Sequence, residues 1–306
     1  MTRTLVVYYS QSGEAARVAD AIARELASDR IDLTIEVLEP EVGYPYPWKS
    51  LARFFSVLPE CHWGPLPPLV PLKCDLDRKF DLVILVYQVW FLAPSLPVQG
   101  FLRSSAARVL RDTKVVTFSI SRNMWQSASE TMKGMLKDAG ARHVDNVVLT
   151  HQGPAWATFI TTPRALLFGK KEAFAGVFPA VGISSKDLDR VRVFARAIRS
   201  QIGRSNELDD RPFLRGLGAV KVDRQYLLAE RLGFHVFRWW GRAILALGGF
   251  GRAYRTVAIY TFVAFLVCAI LVGIPLTMLV GRLLHPFIHR RLARYTRTLQ
   301  QPSDCI

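Results

Sequence analysis

The stretch YYSQSGEA, Tyr8 to Ala15, decides how this chain folds. Before it, Leu5-Val6-Val7-Tyr8-Tyr9 is short, apolar and rich in β-branched and aromatic residues, the composition of a buried strand. After it, Ala15, Val18, Ala19, Ile22 and Leu26 recur at helical spacing. A strand that stops at Ser10-Gln11-Ser12-Gly13, directly before a helix, has two explanations. Hydroxyls and N–H groups at a helix start hold a phosphate dianion, and a glycine lets the backbone come close. Alternatively, Ser12 is an ordinary helix N-cap. The spacing fits neither a Walker loop, which needs a lysine, nor the dinucleotide GxGxxG.

Outward from this turn the same alternation repeats. Leu33–Leu38 alternates as a second strand, and Asp81–Tyr87 is the strongest strand in the chain. Gln99–Leu110 is expected to be helical, Lys114–Ser119 a strand, Ser127–Ala139 a helix closed by Gly140, and Val144–Leu149 a last strand. Ser184 is the expected N-cap of a helix that runs to about Ile202. Strands that are apolar throughout and alternate with helices predict an α/β fold, a doubly wound five-stranded parallel sheet covered on both faces. Ligands of such sheets bind beyond the carboxyl ends of the strands.

Three turns at those ends are candidate sites. The first is Ser10-Gln11-Ser12-Gly13-Glu14-Ala15. The second, Gln88-Val89-Trp90-Phe91 and on to Ser95, sets two large aromatics where they can cover a flat ring, or pack on the following helix. The third, Ser119 to Trp125, contains Ser121, Arg122 and Asn123, which suit ring carbonyls or an anion; otherwise Arg122 is a solvated charge and Trp125 packs at the sheet edge. His62, His151 and Tyr87 lie in or near loops and are candidate bases. A histidine is more often structural than catalytic.

The phosphate-type turn and "YQVWFLAPSLPVQGFL" resemble the flavodoxin-like family over about residues 3–200. That resemblance implies FMN, with its phosphate on the first turn and the isoalloxazine between the second and third. "GYPYPWKSLARFFSVLPE", "LVYQVWFLAPSLP", "ISRNMW" and "FITTPRALLFGKKEAF" are similar to the flavodoxin-like proteins of bacterial dialkylresorcinol biosynthesis. This implies aromatisation of a cyclic dione, with a ketosynthase and an acyl carrier protein as partners and a hydrophobic small molecule as substrate. The turn departs from the flavodoxin pattern at two positions. Glu14 stands where Asn is usual, and Ala15 where a hydroxyl is usual. A carboxylate beside a dianion costs about 1 kcal/mol or more if unscreened. That departure favours a cofactor-free scaffold or partner protein at the membrane. A further alternative is NAD(P)H/quinone-reductase-like electron transfer, which membrane attachment would suit.

Two insertions, about 43–71 and 153–180, are expected to cover the substrate; seven of the 17 prolines lie in Gly43–Pro71. The expected organisation is a domain over 1–202, a connector over 203–232, an interfacial helix over 233–255, a membrane-embedded segment over 256–281 and a basic tail over 282–306. Thr256–Gly281 contains no charged side chain in 26 residues, and about 20 suffice to cross a bilayer. Phe234–Phe250, with Trp239 and Trp240, suits headgroup depth.

The net charge of +15 is uneven. Residues 1–100 carry 9 basic and 12 acidic side chains, residues 101–200 carry 16 and 7, and residues 201–306 carry 15 and 6. Arginines bracket the apolar run on both sides instead of lining one exposed helix face, which favours a lipid bilayer over nucleic acid. With both flanks basic, a single span and a re-entrant hairpin both remain open. No secretory leader is legible, so a cytoplasmic domain on the inner membrane is expected. The four cysteines show no metal-ligand spacing, so no metal site is expected.

Overall fold

The computed structural model describes residues 1–202, 211–249 and 251–303, with only the backbone of 155 and 284–289. β1 (Thr2–Tyr8), α1 (Glu14–Leu26) and β2 (Ile31–Val37) open the chain. The first insertion carries α2 (Leu51–Phe55) and α3 (Leu58–His62). β3 (Leu82–Trp90), the short β4 (Ala93–Pro94), α4 (Leu96–Arg103), a 3-10 turn (Ser105–Leu110) and β5 (Lys114–Ser121) follow. Next come α5 (Gln126–Asp138), β6 (Arg142–Thr150), α6 (Ala155–Phe168) in the second insertion, and α7 (Ser185–Ile202).

Five strands pair in parallel in the order β2-β1-β3-β5-β6, and β4 adds a short antiparallel pairing to β3. One face of the sheet (Val6, Ile84, Val86, Phe118) packs on α1 and α7 through Val18, Ile22, Phe194 and Ile198. The other face (Leu5, Val7, Val83, Leu85) packs on α4 and α5 through Phe101, Met132 and Leu136. Both faces are therefore buried, which is why the central strands read as unbroken apolar runs. The expected cap at Ser184 forms: its Oγ accepts from the Asp187 N–H at 3.1 Å.

The strand ends differ from expectation. β3 continues through Gln88, Val89 and Trp90, then turns at Phe91 and Leu92, both at positive φ, into β4. β5 likewise runs through Ser119 to Ser121. The expected helix over Gln99–Leu110 is divided between α4, from Leu96, and the 3-10 turn.

The exposed edge of β6 is covered by the chain beyond the α/β domain. Residues 203–210 of the expected connector lie outside the described residues. After them, the Phe213 and Leu214 N–H groups donate to the buried Asp145 carboxylate at 2.6 and 3.4 Å, and Val148 N–H donates to the Ala219 carbonyl. α8 begins at Leu227, within the expected connector, ends at Ala246 and lies against α3, with Gly241 close over Pro59. α9 (Ala253–Cys268), a π-helical turn (Ala269–Gly273) and α10 (Ile274–Gln300) then follow without a break. Within them, Ala253–Leu283 is long and apolar enough to cross a membrane, and its most apolar 18 residues have mean hydropathy 2.7. The region expected to be a basic tail is helical as far as Gln300, and Leu299 and Ser303 are buried against the α/β domain.

Candidate functional site at the carboxyl edge of the sheet

The opening turn takes neither simple form. Gly13, at φ 86°, is the N-cap of α1, and no side chain caps it. The expected Ser12 cap is absent, and Ser10 Oγ instead accepts from the Ala16 N–H at 3.1 Å. A glycine is required there because the left-handed conformation disfavours a Cβ. Gly13 is exposed, and an added Cβ would meet nothing within 4 Å, so the mouth of the turn is open.

Glu14 is buried away from solvent. Its Oε2 lies 3.2 Å from His151 Nε2, at the end of β6. Its Oε1 packs against the backbone of Gly182, just before α7. Burial raises the Glu14 pKa, but the His151 hydrogen bond and the charges of His151, Lys171 and Arg17 outweigh it, and the net shift is downward. The carboxylate is thus held as an anion near the amino ends of two helices, where the dipoles favour it.

Lys171, from the second insertion, reaches the same turn. Its Nζ donates to the Ser12 carbonyl at 2.5 Å and stands 5.0 Å from the centre of the Tyr46 ring. From the first insertion, the Pro45 carbonyl accepts from Gln11 Nε2 at 2.9 Å. The two insertions also join each other, because Trp48 and Lys49 N–H donate to the Leu166 and Leu167 carbonyls. Together they roof the carboxyl edge of the sheet.

Beneath this roof, several polar atoms are buried without a hydrogen-bond partner among the described residues: Tyr46 OH, Ser121 Oγ, His151 Nδ1 and Thr162 Oγ1. Three of them are linked: His151 N–H donates to the Ser121 carbonyl, His151 meets Glu14, and Tyr46 meets Lys171 and lies in the field of Glu14. Burial, then the Glu14 charge, pushes the Tyr46 pKa up to about 12. An unpartnered buried polar atom costs about 1–3 kcal/mol, so such a group of atoms is the mark of a ligand or water site.

The other turns are more fully packed than the sequence implies. Trp90 stands edge-to-face with Tyr9 and Tyr44, at 5.8 and 5.1 Å, and its Nε1 donates to Gln88 Oε1 at 3.3 Å. Phe91 joins a cluster with Phe54, Phe55 and Phe237. Val89 packs at the margin of the core. Ser119 is no ligand-facing group: its Oγ donates to the Val147 carbonyl in the interior. Trp125 is likewise buried in the core, because α7 and the sheet enclose it. Arg122 lies under Phe159, 4.0 Å from the ring centre, and burial lowers its pKa to about 10. Asn123 Nδ2 donates to Thr158 Oγ1 on α6 at 3.2 Å.

Of the three candidate bases, two belong to the packing. Tyr87 is fully buried in the core. His62 is hydrogen-bonded to the Phe91 carbonyl at 2.9 Å, and burial lowers its pKa to about 4. His151 has one nitrogen held by Glu14 and the other unpartnered. By sequence, Lys171 beside Lys170 could meet a phosphate or a headgroup but reads more simply as a solvated pair. Tyr46 carries no signal beyond its place in an insertion that follows a strand.

With β4 set aside, the strand order is 2-1-3-4-5 of the doubly wound sheets that bind at the β1/β3 switch point. The fold is flavodoxin-like. No protein-family model matches the chain, and no curated protein matches it in sequence. Among solved structures, it is similar to a flavoprotein in complex with FMN from Lactobacillus acidophilus NCFM, with 19% identity over 48% of this chain and 93% of that one, TM-score 0.39. It is also similar to a flavodoxin from the domain Archaea, with 11% identity over 66% of this chain and 100% of that one, TM-score 0.39. Oxidised flavodoxin 1 from Bacillus cereus matches with 12% identity over 63% and 95%, TM-score 0.35.

The residues present fit the phosphate end of a flavin nucleotide. The mouth at Gly13 is open, a lysine stands at the turn, and the one carboxylate that would repel a dianion is turned inward onto His151. Ser10, Ser12, Gly13 and Lys171 would hold that end, and Gln88, Trp90 and Ser121 would line the ring.

Proposed function

We propose that this chain is a membrane-attached, flavodoxin-like oxidoreductase that uses FMN to oxidise a lipid-like cyclic dione to a dialkylresorcinol. The observation that carries this reading is the group of unpartnered polar atoms, Ser121 Oγ, His151 Nδ1 and Tyr46 OH, beside an open phosphate-type turn. Aromatisation of such a dione removes two hydrogens, one as a hydride and one as a proton. Bound FMN supplies the hydride acceptor, with a membrane quinone as the final oxidant.

The protein's own task is the proton. His151 takes it at Nδ1 from the carbon beside a carbonyl, while Glu14 fixes the ring at Nε2 and stabilises the imidazolium that results. The Tyr46 hydroxyl favours the enolate oxygen. The insertions exclude water and offer Trp90, Phe91 and Phe54 to alkyl chains. A ketosynthase and an acyl carrier protein supply the dione in this reading.

The test is flavin content. Full-length protein purified in mild detergent is expected to be yellow, or to quench added FMN at micromolar concentration, and His151→Asn is expected to retain flavin but lose turnover. A second reading is a cofactor-free scaffold. It is favoured by the contacts already made at the cradle: Lys171 on the Ser12 carbonyl, and Trp90 wedged between Tyr9 and Tyr44. Colourless protein with no quenching would select it.

A further inference from the structure

The apolar helix is moored at both ends on the same body. At its start, the Arg255 guanidinium is buried and donates to Glu60 Oε1 and the Ser56 carbonyl, both at 2.7 Å. Ile259 and Phe262 are buried against Phe55, Leu58 and Ile244, and Leu266 packs on the same cluster. At its end, Leu292, Tyr295 and Leu299 pack on the α/β core. Lys133 Nζ donates to the Thr298 carbonyl at 3.0 Å, and Ser303 Oγ bonds both the N–H and the carbonyl of Asn146 on β6, at 2.7 and 2.8 Å.

These moorings forbid a straight rod. Phe262 meets Phe237 of α8, with ring centres 5.7 Å apart, and Tyr295 lies 5.8 Å from the Arg231 guanidinium on the same helix. Those contacts, with the roughly 9 Å between Arg231 and Phe237 along α8, keep Phe262 and Tyr295 within about 40 Å. A straight helix would separate them by about 50 Å. The path therefore bends, and the π-helical turn at Ala269–Gly273, with Pro275 directly after it, is the break that permits it.

The bend carries the most apolar surface outward. Leu271, Val272, Leu276, Leu279 and Leu283 are 69%, 66%, 55%, 53% and 68% exposed. Trp239 on neighbouring α8 is 65% exposed, and an exposed indole suits the headgroup region. Arg282, Arg290, Arg291, Arg294 and Arg297 follow the run, and Arg238 and Arg242 stack over Trp63 before it.

We infer that this bent helix is a monotopic membrane dock: it sits in one leaflet of an anionic bilayer, and both of its ends lie on the side of the α/β domain. A crossing helix could not return its end to β6. The ambiguity of two basic flanks then disappears, since both face the same headgroups. The inference rests on the membrane attachment proposed above and is independent of flavin binding.

The test uses the full chain with Cys61, Cys74, Cys268 and Cys305 replaced. A single cysteine is placed either at Thr2 or at the exposed Gln301, and each is labelled with a membrane-impermeant maleimide in sealed inverted membrane vesicles and in intact spheroplasts. Both positions are expected to label in the same preparation and neither in the other. Labelling in opposite preparations would overturn the inference and leave membrane attachment standing; recovery in the soluble fraction would overturn both. In parallel, serine at Leu271, Val272, Leu276 and Leu279 together is expected to release the protein from vesicles of phosphatidylcholine with phosphatidylglycerol, with its circular dichroism unchanged. A variant that stays bound but changes only its oligomeric state would show that the apolar face meets a second copy of the chain, and would overturn the lipid assignment.

Discussion

Glu230 is one side chain through which the stability of this protein is expected to depend on pH. It lies on α8, almost wholly buried, and its Oε1 accepts from the Ser127 N–H at 2.7 Å at the start of α5. The Gln126 amide abuts the same carboxylate, Tyr295 on α10 lies within its field, and Arg231 adjoins it in sequence, over the Tyr295 ring. Burial raises its pKa from 4.5 to about 8, and the N–H groups of Ser127, Gln126 and Trp125 only partly offset this. For an acid whose folded value is raised, the native state binds the extra proton. Stability is then full below pH 4.5, falls as pH rises, and levels off once pH passes the folded value. At about 1.4 kcal/mol per unit, the loss between pH 5 and pH 8 is on the order of 3–4 kcal/mol. Glu230→Gln keeps the acceptor for Ser127 and removes the ionisation. Urea unfolding of both proteins across that range, in the same detergent, should show the variant's advantage growing with pH by this amount. A difference that stays flat within about 1 kcal/mol from pH 5 to pH 8 would refute the reasoning.

Three further outcomes follow from other buried contacts. Arg255→Met leaves Glu60 buried without its ion partner and should cost about 3–5 kcal/mol in unfolding free energy, while adding Glu60→Gln should recover most of it; equal stability of the single and double variants would contradict this. Gly182→Ala places a Cβ 2.2 Å from Glu14 Oε1 at a φ of 112°, so a loss of roughly 1–3 kcal/mol is expected by thermal unfolding, and Glu14→Ala in the same chain should reduce it. Because the Glu14 pKa is lowered, its contribution is present above about pH 4.5 and is lost as pH falls through the folded value. Glu14→Gln should therefore flatten the acid limb of the unfolding curve and leave the alkaline limb unchanged.

The parallel sheet was legible because burial on both faces writes itself as continuous apolar runs, and β1, β3 and β5 have no solvent face to interrupt them. The strand ends were misjudged for a related reason. Gln88 and Ser121 are polar, and polarity reads as a loop, yet the ladder continues through both because the insertions roof them. The apolar helix was recognised by composition, but composition is the same for a helix that crosses and one that bends back. Only Tyr295, Thr298 and Ser303, more than 30 residues beyond Phe262, separate the two.

Glu14 shows most clearly what local reading lacks. Judged against its neighbours in sequence, a carboxylate at the start of α1 opposes a phosphate on the same turn. In the fold, its own oxygen meets His151, 137 residues away, while Lys171, 159 residues beyond Ser12, reaches the Ser12 carbonyl. The carboxylate therefore orients an imidazole whose other nitrogen is unpartnered, and the lysine restores positive charge at the mouth it vacates. The same residue that departs from the flavodoxin pattern at the turn makes the Glu14–His151 contact beneath it, the pair proposed above for proton transfer. On this argument Glu14→Asn, which restores the usual residue, should preserve phosphate binding while it uncouples His151, so that turnover falls without a loss of flavin affinity.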